Sequence, residues 1–325
     1  MSAQVDPGMV SVVIVSWNSC DVLRACLASI YAHTDETSTE VIVVDNASSD
    51  GTVEMVQHEF PRVKLIVNAT NKGFAAANNI GLECARGQYL LLLNPDTEIH
   101  SHTIRLSIAY MEKHPEVGVV GCRCIGADGA QQSSIFRVPR VRDVLINTLI
   151  PSKWMTRSRL LGKARYVGVD LDQEQDVEVV AGCYMFLRRS VYDAVGGMDD
   201  EFFMYGEEVE WCHRIRKEGW RVAYVPSITI LHYGGVSAAQ CADEMDNALA
   251  RSQLLVIRKT RGAVSARAAN VLMLLRDVVR LLLFLPLWCF GSEGDGKQAW
   301  IRSIRRIPLY WSELVTSNEK QPAKE

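Results

Sequence analysis

Between Val10 and Gly121 the chain alternates short β-branched or leucine-rich runs with segments of helical period. That pattern restricts it to an open, mostly parallel sheet with helices on both faces. Val10–Val15 is a β-branched run suited to a strand covered on both sides. Val22, Leu23, Cys26, Leu27 and Ile30 then recur at helical spacing within Cys20–Tyr31. Val41–Val44 predicts the next strand, ending at Asp45, followed by the turn Asn46–Gly51 and a short helix through Phe60. Leu65–Val67, a small-residue helix over Phe74–Ala85, the strand Tyr89–Leu93 and the strand Val117–Gly121 continue the series. Ser101 is expected to cap a helix running to His114, where Pro115 stops it. Ligands of such sheets sit beyond the carboxyl ends of the strands. Ser16, Asp45 and Asp96 fall at or just beyond such ends, so the fold should bring them together although they are far apart in sequence.

Regularity weakens over residues 125–176, which contain Pro139, Pro151 and several basic residues, and this excursion is a candidate for acceptor contacts. It returns at Val177–Leu187, in a helix over Glu208–Lys217 stopped by Gly219, and in strands near Arg221–Val225 and Ile228–Leu231. From Asn247 the chain reads as helical. Val271–Phe290 is strongly apolar, but Arg276, Asp277, Arg280 and Pro286 interrupt it, and Leu281–Phe290 alone is too short to span a bilayer. An interfacial helix with snorkelling arginines accounts for this segment. So does a helical pair packed on the catalytic domain or on another subunit, which leaves a homo-oligomer open. The division expected is a catalytic domain over 1–245, its donor half about 1–121 and its acceptor half about 122–245, with a helical, basic and apolar extension over 246–325.

With 325 residues and 48% apolar side chains, the chain can bury one large core or two modest ones. Its net charge of −3 conceals an asymmetry: residues 251–325 carry 13 Lys+Arg against 6 Asp+Glu, and the rest 22 against 32. The acidic body argues against a nucleic-acid partner. The basic tail suits an anionic membrane surface. Nine cysteines, among them Cys84, Cys122, Cys124, Cys183 and Cys212, form no disulfide or zinc pattern and read as reduced, mostly buried thiols. The start of the chain has no basic segment followed by a signal-like apolar core, so export is not expected.

Four stretches carry candidate chemistry. Asp45 ends a strand, where a carboxylate can accept a hydrogen bond from a pyrimidine imide or a ribose hydroxyl; it equally suits a turn or cap. There is no Gly-rich phosphate loop and no P-loop lysine, so a nucleotide must use other contacts. In Asn68–Asn78, Gly73 and three alanines permit close backbone approach and Lys72 can neutralise a phosphate, although the same residues describe a loop and a tightly packed helix start. Asn94-Pro95-Asp96 follows four leucines, and Asp96 can hold Mg2+ or Mn2+ against a diphosphate or simply lead a turn. In the last stretch, Gly196–Arg214, Glu207 and Glu208 begin a helix whose dipole favours negative charge, and Glu210 and Arg214 are spaced as a surface pair. His232, after an apolar strand, is either a metal ligand or a packed, hydrogen-bonded ring.

Taken together these stretches, over about residues 10–235, resemble the family 2 glycosyltransferases of the GT-A fold, particularly their rhamnosyltransferase-like branch. The match runs in order from the first strand through Asp45-Asn46, Asn71-Lys72-Gly73, Asn94-Pro95-Asp96, the Gly-Gly-x-Asp-x-x-Phe-Phe run and His232. The resemblance implies a GT-A sheet with a helical C-terminal extension, and nucleoside contacts at Ser16, Trp17 and Asp45. Asn71, Lys72 and Asn94 join these as donor contacts. It places the metal on Asp96, with Asn94 standing where the family's first acid falls and His232 completing the site. It makes Glu208 the base beside Glu207, with Glu where the family usually has Asp. The implied reaction is inverting transfer of rhamnose from dTDP-rhamnose to a polysaccharide or polyprenyl-diphosphate-linked glycan, on the cytoplasmic face of a bacterial plasma membrane. Nucleotidyl transfer explains Asp96 but gives Glu208 little to do. An inactive, membrane-attached sugar-binding scaffold leaves the nucleotide, metal and base candidates without a task.

Overall fold

Most of the buried hydrophobic runs become strands of one central sheet, while Val179–Val180 pairs with Ile135–Phe136 in a separate two-stranded sheet. The structure, a computed structural model, describes residues 5–34, 38–149, 170–234, 242–290 and 295–319. In chain order the elements are β1 (Asp6–Ser16), α1 (Cys20–His33), β2 (Thr39–Asp45), α2 (Thr52–Glu59), β3 (Lys64–Val67), α3 (Phe74–Cys84), β4 (Gly87–Leu93), β5 (Thr97–Ile99) and α4 (Thr103–Lys113). They continue as β6 (Val117–Ile125), β7 (Gln131–Gln132), β8 (Ile135–Phe136), α5 (Val141–Leu149), β9 (Gln175–Asp176), β10 (Val179–Val180), β11 (Tyr184–Arg188), α6 (Arg189–Val195), α7 (Glu207–Lys217) and β12 (Arg221–His232). The last three are α8 (Ala242–Arg261), α9 (Ala263–Phe290) and α10 (Asp295–Glu319).

The main sheet runs β3-β2-β1-β4-β11-β6-β12-β5. β3, β2, β1 and β4 are parallel, β11 is antiparallel between β4 and β6, β12 is parallel to β6, and β5 closes the edge antiparallel to β12. Residues from both faces of β1 and β4 are fully buried, as expected for strands covered by helices on each side. Gly81 of α3 lets that helix lie directly on the sheet, because a Cβ there would stand 2.3 Å from Val13 Cγ1.

Several boundaries differ from those read in the sequence. β1 begins at Asp6 rather than Val10. The turn expected after Asp96 contains β5, a strand too short to show a period. The helix that Ser101 was expected to cap starts at Thr103 with His102 at its N-cap; the Thr103 hydroxyl accepts from His100 N and donates to Thr229 O, both at 3.0 Å. The two strands expected near Arg221–Val225 and Ile228–Leu231 form the single β12, whose pairing with β6 shifts between Val225 and Thr229, around Pro226. Val177–Leu187 is divided between β10 and β11. Cys20, Cys26, Cys84, Cys122, Cys124, Cys183 and Cys212 are free thiols.

The chain divides into two compact units, residues 1–137 with 169–241, and residues 138–168 with 242–325. The first contains the sheet. In the second, α9 packs against α5, α8 and α10 around Val144, Leu254, Ile257, Ala269, Met273 and Tyr310. Arg276, which one of the two readings of this segment had snorkelling, pairs at 2.9 Å with the fully buried Asp277, because a lone buried carboxylate needs a cation beside it. No helix among the described residues is long and apolar enough to cross a membrane.

Candidate functional site

All the candidate residues lie in the first unit. Ser16 and Asp45 are register partners at the carboxyl ends of β1 and β2, and both side chains are fully buried. Ser16 Oγ is 2.8 Å from Ser19 Oγ. Asp45 Oδ2 accepts from Ser48 N at 2.9 Å, while the buried Oδ1 has no hydrogen-bond partner in the structure. A buried carboxylate oxygen in that state marks a place where a donor group is wanted. Trp17, half-buried, follows Ser16 directly. The loops after β1 and β2 are stitched together by Asn18 N donating to Ser48 Oγ at 2.9 Å and Ser49 N donating to Asn18 Oδ1 at 2.8 Å. Asn18 and Ala47 take positive φ, 47° and 64°, to permit this.

Asn46 joins this edge to the Asn68–Gly73 loop. Its Oδ1 accepts from Asn68 Nδ2 at 2.8 Å and Lys72 N at 3.4 Å, and its Nδ2 donates to Gly73 O at 3.0 Å. Asn71 Oδ1 accepts from Gly73 N at 2.9 Å, so Asn71 shapes the turn, and the Lys72 residue is exposed. Gly73 has φ 83°, and a Cβ there would stand 2.3 Å from Phe203 O, which accepts from Phe74 N at 2.7 Å. Asn79 holds Met198 by two bonds, Nδ2 donating to Met198 O at 2.8 Å and Oδ1 accepting from Met198 N at 2.9 Å. The segment that leads to Glu207 is thereby fastened to the start of α3.

Asn94 N donates to Cys183 O at 3.1 Å, and Asn94 Oδ1 is a second buried acceptor with no partner in the structure. Two residues on, Asp96 is nearly buried, and Asp96 Oδ1 lies 3.5 Å from His232 Nε2. His232 is paired with Thr97 across β5 and β12, and Tyr233 N donates to Asp96 O at 2.9 Å. Gln132 Nε2 donates to His232 O at 2.9 Å, which turns Gln132 Oε1 toward His232 Nδ1 at 2.7 Å. Nδ1 therefore carries a proton, and in the neutral ring the lone pair of Nε2 faces a carboxylate. A cation between them, either a proton or a metal ion, relieves that opposition. Burial acts to lower the His232 pKa, but the hydrogen bond and charge of Asp96 outweigh it and the net direction is upward. One carboxylate oxygen and one oriented imidazole are donors that would suit Mg2+ or Mn2+. No group of three or more metal-ligating side chains occurs among the described residues.

The turn into α7 places two consecutive residues, Tyr205 and Gly206, at positive φ of 69° and 89°. Backbone held in that region by its surroundings is common at functional sites. Glu207 is 4% exposed, and its Oε2 is buried without a partner in the structure. Glu208 is half-buried and its Oε2 accepts from Gly206 N at 3.1 Å. Burial, and then the charge of Glu208, push the Glu207 carboxyl well above the usual carboxylate range. Burial also raises Glu208, against hydrogen bonds from backbone N–H groups at the helix start. A Cβ on Gly182 would stand 3.9 Å from Glu208 Cβ, so Glu208 adjoins the Gly182-Cys183 segment that receives Asn94 N. Glu210 and Arg214, expected as a surface pair, are instead a partly buried clamp. Glu210 is 6% exposed, and Arg214 donates to it at 2.8 Å and to Val195 O and Gly197 O at 2.7 Å each. Trp211 Nε1 donates to Gly196 O at 2.8 Å on the same loop.

The structure thus groups Ser16 and Asp45, the Asn46–Gly73 loop with Phe203, Asp96 with His232, and Glu208 with the strand segment beside Asn94. Asn79 and Gln132 act here without having been singled out from sequence, and Asn46 was named there only as part of the Asp45-Asn46 match. Asn46 carried a signal, as the neighbour of Asp45 at a strand end; Gln132 lies in the irregular stretch and carried none.

The chain belongs to glycosyl transferase family 2, whose model matches residues 11–196. It is similar to the N-acetylglucosaminyl-diphospho-decaprenol L-rhamnosyltransferase of Mycobacterium tuberculosis (strain ATCC 25618 / H37Rv), with 27% identity over 233 residues, covering 68% of this chain and 75% of that protein. It is also similar to the rhamnosyltransferase WbbL of Escherichia coli (strain K12), with 26% identity over 235 residues, covering 69% and 83% of the two chains. In fold it resembles the mannosyltransferase PcManGT from Pyrobaculum calidifontis, solved with GDP-Man and Mn2+, at TM-score 0.54 and 17% identity over 95% of this chain and 89% of that one. S. aureus TarS 1–349 with UDP-GlcNAc gives TM-score 0.51 at 15% identity over 93% and 81%. The central sheet with its flanking helices is the GT-A fold, as the sequence implied.

Proposed function

We propose that the chain transfers rhamnose from dTDP-rhamnose, with inversion, to a hydroxyl of a polyprenyl-diphosphate-linked or polysaccharide glycan, on the cytoplasmic face of a bacterial plasma membrane. The observation that carries this reading is the Asp96–His232 pair, 3.5 Å apart at the carboxyl edge of the sheet that also presents the unsatisfied Asp45 Oδ1. The names of the two rhamnosyltransferase relatives, one of them acting on a diphospho-decaprenol acceptor, support the sugar and the acceptor class.

Asp45 Oδ1 accepts from the imide or ribose of the nucleoside, with Ser16 and Trp17 bordering the same strand ends. Asn94 Oδ1 accepts from a donor hydroxyl, and Asn71 holds the turn that aims Lys72 at the diphosphate. Asp96 and His232 would hold a divalent ion, which would supply charge neutralisation to the departing diphosphate. Glu208 takes the proton of the acceptor hydroxyl as that oxygen attacks the anomeric carbon. Glu207, deeper and more strongly shifted, is the other acid of the pair. A single displacement needs one base and no covalent sugar–enzyme intermediate, and it inverts the anomeric centre. Catalysis belongs to residues 1–245, with the helical remainder as an extension.

The test is a panel of nucleotide-sugars screened by thermal protection, followed by turnover with a lipid-linked acceptor. The expected result is selective protection by dTDP-rhamnose with Mn2+ or Mg2+ and release of dTDP without pyrophosphate. Pyrophosphate release would favour nucleotidyl transfer, and protection without turnover a binding scaffold.

A further inference from the structure

Among the described residues, three that are not glycine have positive φ: Asn18, Ala47 and Tyr205. Asn18 and Ala47 shape the stitched loops after β1 and β2; asparagine tolerates that region, and alanine brings only a methyl group to it. Tyr205 is different. A bulky side chain at φ 69° is a genuine outlier, and glycine or asparagine would take the same backbone at less cost. The next residue is already a glycine, at φ 89°, so a second one would relax the whole turn into α7. Strain of this kind persists where the surroundings over-determine it, and it clusters at sites where the side chain has a task.

The turn is held from both sides. Upstream, Phe202 is 1% exposed and Phe203 O accepts from Phe74 N at 2.7 Å. Downstream, Gly206 N donates to Glu208 Oε2 at 3.1 Å and Gly206 O accepts from Glu210 N at 3.0 Å. Tyr205 therefore stands on a fixed support between the Gly73 loop and Glu208, and it is half-buried. Burial, then the charges of Glu207 and Glu208, raise its phenol pKa, so the hydroxyl keeps its proton and lies in the field of both carboxylates. A phenol donates and accepts, as a sugar hydroxyl does, and its ring suits the apolar face of a pyranose. The donor contacts of the proposed function lie at the ends of β1, β2 and β4 and on the Asn68–Gly73 loop, whereas Tyr205 belongs to the segment that carries the base. The substrate that meets the base is the acceptor.

We propose that Tyr205 recognises the acceptor, its hydroxyl bonding a hydroxyl of the acceptor sugar beside the one that attacks. This rests on the reading of Glu208 as the base and adds the residue that selects what the base meets. The full chain and its variants are compared with dTDP-rhamnose as donor and a short-chain prenyl-diphosphate-linked sugar as acceptor. Acceptor kcat/KM, the donor dissociation constant, donor hydrolysis without acceptor, and Tm are measured for each. Tyr205→Phe keeps the ring and removes one hydroxyl, so acceptor kcat/KM should fall roughly 3–10-fold, the contribution of one neutral hydrogen bond. Donor affinity, hydrolysis and Tm should not change. Tyr205→Asn relieves the backbone and removes the ring; acceptor kcat/KM should fall at least tenfold while the protein melts at or above the parent temperature. A ring kept only for packing gives the opposite pair, a lower Tm with acceptor kcat/KM unchanged, and would overturn the proposal. So would parental acceptor kcat/KM in Tyr205→Phe, or a loss that appears in donor affinity instead. A parent chain that binds donor but passes sugar to no acceptor would overturn the functional reading itself, which the donor-only measurements register separately.

Discussion

His232 Nε2 faces Asp96 Oδ1 at 3.5 Å because β5 and β12 pair antiparallel there, and Gln132 holds the opposite side of the imidazole. The tautomer and orientation of the ring are set by a residue 100 positions away. On the proposed function, Asp96→Ala abolishes turnover and removes the effect of Mn2+ on donor affinity, while His232→Ala weakens both. Isothermal titration of dTDP-rhamnose with and without Mn2+ checks this. An Asp96→Ala protein active in excess chelator contradicts it.

Gln132→Leu tests the orienting bond separately. It removes the acceptor from His232 Nδ1 without touching Asp96, and loss of such a supporting bond weakens metal affinity about 10–100-fold. Mn2+ titration followed by thermal protection should show that loss, and donor at saturating Mn2+ should restore activity. An unchanged Mn2+ midpoint would remove Gln132 from the site.

Gly73→Ala probes the junction between donor and acceptor loops. A left-handed φ of 83° and a Cβ position 2.3 Å from Phe203 O leave no room for even a methyl group. The change should cost at least about 2 kcal/mol in denaturant unfolding. In the fraction that remains folded, kcat should fall more than donor affinity, because the displaced Phe203 lies on the segment leading to Glu207 and Glu208. Wild-type stability would mean that the two loops are not locked together.

How far the sequence disclosed this site follows from what a linear pattern can contain. The strand-end acids Asp45 and Asp96 were legible because a buried β-branched or leucine run ending in a carboxylate is a local signal. His232 was legible only as one of two alternatives, since nothing local says what stands opposite a strand's last residue. β5 is three residues long, below the length at which period 2 can be seen, and its pairing with β12 is what brings His232 to Asp96. The Arg214 clamp looked like a surface pair for a similar reason: the spacing i, i+4 records which residues share a helix face, not whether that face is buried.

Glu207 and Glu208 also make a prediction about stability. Both folded-state pKa values are raised above those of the unfolded chain, with burial as the leading cause. Their contribution is therefore favourable below the unfolded carboxylate pKa and is lost as pH rises through the folded values, where a buried charge must form. Glu207→Gln removes that penalty and should raise Tm at neutral and alkaline pH but not at pH 4. Melting curves across pH 4–9 check this; a variant less stable at pH 8 would show that the ionised Glu207 is well accommodated.

The central claim is that Glu208 accepts the proton of the attacking hydroxyl, and base catalysis contributes about 10²–10⁴-fold to rate. The most direct measurement is kcat beside the donor dissociation constant for Glu208→Gln and Glu207→Gln, each checked for folding. Glu208→Gln should lose kcat by that order with donor affinity nearly unchanged, and Glu208→Asp should keep part of the activity. Normal turnover by Glu208→Gln, with Glu207→Gln inactive yet still binding donor, would contradict the account and move the base one residue earlier.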